Sequence, residues 1–171
     1  KHAHWSPLEM VSACIEIETT RDIARQILRH RSFSFQEFSQ RYADPTKDLG
    51  FVTREARLQD MKNRQNSIET DDELLQDFWE VRQKELTNKV IETYNWAIEN
   101  GIAKEQARAV LPEGLTQSRM YMNGTVRSWI HYCQLRMGPE TQKEHREIAL
   151  MAWEALCKEF PSLGEVLLDT K

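Results

Sequence analysis

The chain has 171 residues, of which 29% are charged and 40% hydrophobic, and a formal net charge of −4. That length suits one domain with a substantial core, and the composition is that of a soluble globular chain. The acidic balance excludes a general nucleic-acid coat, so any anion site must be a local concentration of arginine. No apolar run approaches the roughly 18 residues of a membrane span, and no charged-then-apolar leader opens the chain. Cys14, Cys133 and Cys157 are far apart, odd in number and without metal spacing. They read as reduced packing thiols of a cytoplasmic protein, with no metal and no Cys-His nucleophile expected. The abrupt start at Lys1-His2-Ala3-His4 leads us to expect a further leader or first strand upstream.

Taken in order, residues 11–17 alternate, with Val11, Ala13, Ile15 and Ile17 on one side. Period two predicts a half-buried strand. Thr19-Thr20 offers a hydroxyl cap for a helix in which Ile23, Ala24, Ile27 and Leu28 share a face. That helix carries Gln26 and delivers Arg29-His30-Arg31 at its C-terminal end, where cations also suit the helix dipole. Residues 33–42 are too rich in aromatics and hydroxyls for an easy helix and read as extended. Asp44-Pro45-Thr46 is a turn. Residues 47–69 read as a loop with a short helix, anchored by Phe51-Val52, its charges solvated.

Thr70-Asp71-Asp72-Glu73 has capping-box form. A helical stripe follows through Leu74, Leu75, Phe78, Val81, Leu86, Val90, Tyr94, Ala97 and Ile98, closed by Asn100-Gly101. A helix of about 28 residues is roughly 40 Å long and is often shared between subunits. Residues 102–111 read as another helix, ended by Pro112, and residues 116–123 as a strand or extended turn. Gly124-Thr125 starts a helix over 126–137 that carries Arg127, Ser128, His131 and Arg136, and Gly138-Pro139 stops it. The last helix, about 140–160, buries Ile148, Met151, Ala152, Ala155, Leu156 and Phe160, and nothing in it suggests chemistry.

The chemistry concentrates in Arg29-His30-Arg31-Ser32-Phe33-Ser34-Phe35-Gln36-Glu37-Phe38-Ser39-Gln40-Arg41. Arginine is almost never fully buried unless paired, so such a run is poor core material. Guanidinium forks grip phosphate bidentately, and serine hydroxyls and backbone N–H groups add neutral donors. Glu37 can accept from a sugar hydroxyl or orient an arginine.

In Arg29, His30, Arg31, Ser34, Glu37, Ser39 and Arg41 the run resembles the signature of flavin-dependent thymidylate synthases, with Gln36 where that family usually has Asn. Further likenesses follow in the right order: His4-Trp5-Ser6-Pro7-Leu8-Glu9 upstream, Ala107-Arg108-Ala109-Val110-Leu111-Pro112, and Arg127-Ser128 with His131 and Arg136. The resemblance implies an α/β (α+β) fold over residues 1–171 as a single catalytic domain. It would hold a small, mainly antiparallel sheet and several helices, one of them long. It implies a homotetramer with shared sites and a methyltransferase that converts dUMP to dTMP. The carbon donor would be methylenetetrahydrofolate, the cofactor FAD and the reductant NADPH.

In that likeness FAD falls to Ser6, Arg29, His30, Arg31, Glu37, Thr125, Arg127 and His131. The dUMP site falls to Gln26, Arg29, Glu37, Ser39, Gln40, Arg41, Arg108 and Arg136, with Arg41 and Arg108 on the phosphate. Thr125 stands where many relatives have Asn. Arg136 is the expected catalytic group, because a guanidinium at the pyrimidine edge stabilises negative charge on the ring. Three alternatives remain open on sequence. One is an inactive relative that binds flavin or dUMP. Another is a helical oligomerisation protein whose arginines make ion pairs. The third is a single-stranded nucleic-acid platform built on Phe33, Phe35 and Phe38, against which the acidic charge argues. No membrane partner is expected.

Overall fold

A computed structural model describes residues 5–165. It is a mixed α/β structure with small sheets and several helices. The strands are β1 (Ser12–Thr20), β2 (Ser34–Glu37), β3 (Arg57–Gln59), β4 (Ser67–Glu69) and β5 (Gln117–Thr125). The helices are α1 (Arg21–Ile27), α2 (Pro45–Asp48), α3 (Glu73–Glu99), α4 (Lys104–Ala107), α5 (Val126–Arg136) and α6 (Lys143–Glu159). A three-stranded sheet has the order β1-β5-β2, and β3 pairs antiparallel with β4. Among the described residues no helix is long and apolar enough to cross a membrane, and no His/Cys/Asp/Glu group could hold a metal ion. His4 lies outside the described residues.

The backbone divides into two compact units. The first comprises residues 1–17, 25–36 and 120–171. Its core gathers Met120, Met122, Val126, Trp129, Ile130, Tyr132 and Cys133 with Ile148, Ala149, Ala152 and Leu156. The α5 helix starts where sequence predicts: Thr125 accepts from the Ser128 N–H, and the Val126 N–H is taken by the Val11 carbonyl. Trp129 donates its indole N–H to the Ala13 carbonyl at 3.0 Å. Gly124 lies under the Phe33 ring, and a Cβ there would come within 2.5 Å of it. Phe33 stands edge-on to Trp129 and Tyr132, so the segment after Arg31 is tied to α5 through aromatic packing.

The second unit comprises residues 18–24 and 37–119. Here Val90, Tyr94, Ala97, Ala107 and Leu111 form a core with Phe51 and Ile98 against it. The cap of α3 is Asp72, whose carboxylate accepts from the Leu75 N–H, rather than Thr70. The apolar stripe of α3 is buried only in its C-terminal half. Leu74 and Phe78 remain 69% and 66% exposed, and Val81 and Leu86 are exposed as well.

Residues 47–69 are more ordered than their polarity suggests. They hold the end of α2, which begins at Pro45 in place of the expected turn and is capped by Asp44, and the β3–β4 hairpin. Two glutamines of α3 act as strand partners for the approach to β3. The Gln83 amide exchanges two 2.8 Å hydrogen bonds with the Arg54 backbone, and Gln76 does the same for Ala56. Arg54 is not a solvated charge: its guanidinium reaches Asp22 at 2.7 Å and Thr20 at 2.6 Å. Sequence polarity misses such an arrangement because amide-to-backbone pairing leaves no periodic trace.

Candidate active site

The sequence-predicted residues fall into two sets. The first unit carries Ser6, Gln26, Arg29, His30, Arg31, Thr125, Arg127, His131 and Arg136; the second carries Glu37, Ser39, Gln40, Arg41 and Arg108.

In the first unit, α1 ends at Ile27, short of the basic triplet. Arg29, His30 and Arg31 therefore occupy turns, with the His30 N–H on the Ile27 carbonyl and the Phe33 N–H on the His30 carbonyl. This presents Arg29 and Arg31 to solvent and turns His30 inward. His30 lies edge-on to Tyr132, with ring centroids 4.9 Å apart. Its Nε2 accepts from Arg136 Nε at 2.9 Å. An acceptor Nε2 puts the single ring proton on Nδ1. Burial, then the Arg136 and His131 charges, press the His30 pKa down to about 4, so the imidazole is neutral at physiological pH.

No carboxylate pairs with Arg136 among the described residues, and its terminal amino groups have no protein partner there. Arg136 is thus oriented without being neutralised. A cation held against a neutral partner beside buried aromatics can stabilise charge that develops on a ligand. Arg29 and Arg31 make no ion pair among the described residues and suit an anionic group. Arg127 is committed differently: Glu9 accepts from it at 3.1 Å and from the Thr125 hydroxyl at 3.1 Å. That joins Thr125 and Arg127 to the one-turn 3-10 helix that carries Ser6. His131 is exposed on α5.

In the second unit, Glu37 Oε1 accepts from Arg21 at 3.3 Å and from the Ser118 hydroxyl at 2.9 Å. Arg41 pairs with Glu105 at 3.3 Å, both half exposed, and the Arg108 Nε donates to the Glu105 carbonyl at 3.3 Å. Glu105 therefore brings together the arginines that sequence assigned to phosphate. The Ser39 hydroxyl accepts from the Arg41 N–H. Gln40 is buried at 5% exposure, and its Nε2 finds no hydrogen-bond partner among the described residues. A buried amide donor left unpaired is costly and marks a place for an acceptor.

Sequence reasoning passed over Tyr132, His145, Gln142, Glu144, Arg21 and Ser118. The His145 ring is fully buried and meets Tyr132 and Gln26. A signal for it existed. The buried stripe of α6, Ile148-Ala149-Ala152-Leu156, extends one turn back to residue 145, where a histidine replaces an apolar residue.

The description "Thymidylate synthase complementing protein" belongs to a family profile that matches residues 1–162. The chain belongs to this family. It is 50% identical over 167 residues to the flavin-dependent thymidylate synthase of Synechocystis sp., covering 98% of this chain and 76% of the relative. The same shares hold, at 48% identity, for the probable flavin-dependent thymidylate synthase of Paramecium bursaria Chlorella virus 1. A crystal structure of the UMP/dUMP methylase PolB from Streptomyces cacaoi, bound with 5-Br UMP, superposes with a TM-score of 0.78. It is 27% identical and is matched over 91% of this chain and 72% of its own. The likeness thus covers both units, and the resemblance carried by the basic run is a family relationship.

Proposed function

We propose that the protein is a flavin-dependent thymidylate synthase that methylates dUMP to dTMP. FAD is its cofactor, methylenetetrahydrofolate its carbon donor and NADPH its reductant. The activity follows from the named relatives at 50% and 48% identity and from the family. The observation that carries the chemistry is the Arg136–His30 hydrogen bond. It joins sequence signals 106 positions apart into one cluster and leaves the Arg136 charge unpaired by any acid among the described residues. At the pyrimidine edge that charge stabilises the ring as N3 loses its proton, and no enzymic nucleophile is needed.

The residues present fit the cofactor. Arg29 and Arg31 offer exposed guanidinium groups to its phosphates, and His30, Ser6, Glu37, Thr125, Arg127 and His131 complete the set. When bound, the flavin supplies the hydride that turns the transferred carbon into a methyl group. For dUMP, Arg41 and Arg108 take the phosphate, Ser39 and Gln40 add donors, and Gln26, Arg29, Glu37 and Arg136 complete the site. The unpaired Gln40 Nε2 supports this assignment. The working form is a homotetramer in which each site draws on several subunits, and the exposed Leu74, Phe78, Val81 and Leu86 on α3 support assembly.

The test is the visible spectrum of the purified protein after loading with FAD and removal of excess, followed by dUMP titration and a dTMP assay. A retained flavin band that shifts with dUMP, with dTMP formed, is expected. A folded tetramer that retains no flavin, or one that binds both ligands and makes no dTMP, overturns the proposal.

A further inference from the structure

Behind the Arg136–His30 pair a second histidine sits in a chain of hydrogen bonds that the proposed chemistry does not use. Glu144 is in the first turn of α6 and accepts from Gln142 Nε2 at 2.9 Å. Gln142 Oε1 in turn accepts from Gln26 Nε2 at 2.8 Å. Gln26 Oε1 lies 3.4 Å from His145 Nδ1, and His145 Nε2 lies 3.1 Å from the Tyr132 hydroxyl. Gln26 stands on α1 three residues before Arg29, and Tyr132 stands on α5 four residues before Arg136.

The direction of this chain is set at one end. An ionised carboxylate only accepts. Glu144 therefore turns the donor end of Gln142 toward itself, and the acceptor end toward Gln26. Gln26 must then donate to Gln142 and present its oxygen to His145. His145 has to carry its proton on Nδ1, which leaves Nε2 to accept from the Tyr132 O–H. Each link runs one way, and reversing any of them turns two donors or two acceptors face to face. A neutral imidazole alone sets no direction, since either nitrogen can bear the proton. Burial, then the charges of Arg136 and His30, lower the His145 pKa to about 4, so it works as a neutral relay.

We propose that Glu144 and His145 are positioning residues that fix which end of the Gln26 amide is offered to the nucleotide. The inference rests on the reading of Gln26 as a dUMP residue. With its oxygen given to His145 and one N–H to Gln142, Gln26 keeps one N–H and one lone pair, in a fixed orientation, for the ligand. A polar network satisfied at every link is rigid, whereas one with an ambiguous link lets the amide flip.

The experiment uses the full-length, FAD-loaded protein. In the parent, nitrogen NMR of His145 should show the neutral Nδ1–H form. In Glu144→Gln the anchor can donate as well as accept, so both tautomers should appear. The KM for dUMP should then rise by about three- to tenfold, the range that one neutral hydrogen bond is worth. The effect should fall on KM rather than kcat, with flavin retained, and Glu144→Asp should restore the parent KM. Gln26→Ala serves as the comparator and should raise the dUMP KM at least as far.

A parent His145 that is protonated, or that holds its proton on Nε2, overturns the inference without any variant. So does a Glu144→Gln protein with unchanged tautomer and unchanged KM while Gln26→Ala weakens dUMP; the assignment of Gln26 to the dUMP site then survives. If Gln26→Ala leaves the dUMP KM unchanged, that assignment fails and the inference falls with it, while dTMP formation still reports on the synthase.

Discussion

Arg136 and Arg21 are each held by a side chain distant in sequence, but by partners of opposite kind. In the first unit the partner of Arg136 is a neutral imidazole, His30, at 2.9 Å. In the second unit Arg21, with its side chain 10% exposed, faces the Glu37 carboxylate at 3.3 Å. A carboxylate cancels the charge it orients, and the arginine becomes a strut between β2 and the start of α1. A neutral acceptor orients the guanidinium and leaves its charge for a ligand. The difference separates an arginine whose charge is spent on a carboxylate from one whose charge is left unspent.

The sharpest way to break this contrast is Arg136→Ala. Loss of a group that stabilises developing charge should reduce dTMP formation by about a thousandfold. Flavin absorbance should be retained, because Arg29 and Arg31 remain. A variant that makes dTMP at near the parent rate removes Arg136 from the chemistry and with it the meaning given to its neutral partner.

Arg21→Ala examines the other half. Removing the guanidinium takes a charge-assisted hydrogen bond from a largely buried carboxylate, so we expect a loss of about 1.5–3 kcal/mol in folding stability by urea unfolding. The Ser118 hydroxyl, which also donates to Glu37, moderates the loss. A change within about 0.5 kcal/mol, the scatter of ordinary surface substitutions, would show that Arg21 is no strut.

How far the contrast could be read in advance depended on what each residue advertises locally. The alternation in β1, the start of α5 after Gly124-Thr125 and the length of α3 are local signals, and the structure reproduces them. The basic run announced an anion site because clustered arginines have no place in a core. What the local signals miss is partnership. Nothing near Arg136 says that a histidine 106 positions away is its acceptor, and nothing near Glu37 names Arg21 or Ser118. The glutamines that pair with the backbone at Arg54 and Ala56 are equally silent. The length of α3 suggests a helix shared between subunits, but its stripe does not say which part is core, and its first half is exposed in the single chain. An interface between subunits and a core look alike in sequence, because both require apolar residues at the same spacing.

The neutral partner also predicts a pH dependence. His30 and His145 are both held near a pKa of about 4, against 6.5 for the free side chain. Between those values the unfolded chain binds protons that the folded chain excludes, so folding stability falls with acid. Their contribution is complete above about pH 6.5 and is lost as the pH drops toward 4. Thermal unfolding measured across that range should show the loss. In His145→Leu the acid dependence should be shallower, whatever the absolute stability of the variant. An unchanged slope would mean that His145 is protonated in the folded protein and that the cluster is not neutral.

Arg41→Ala should have the smallest effect on the fold and still change binding. Arg41 also faces a carboxylate, Glu105 at 3.3 Å, and by partner type alone it belongs with Arg21. Its setting differs: the Arg41 and Glu105 side chains are 56% and 51% exposed, where Arg21 and Glu37 are 10% and 18%. An exposed pair is worth at most about 1 kcal/mol and is easily exchanged for another anion. Arg41 can therefore leave Glu105 for the dUMP phosphate, whereas Arg21 cannot leave Glu37. Urea unfolding of Arg41→Ala should match the parent within about 0.5 kcal/mol. Its dUMP dissociation constant should rise about tenfold or more, as expected for a charge-assisted hydrogen bond of about 1.5–3 kcal/mol. If the variant instead loses stability as Arg21→Ala is expected to, with dUMP affinity unchanged, then exposure does not distinguish these arginines and Arg41 is a strut as well.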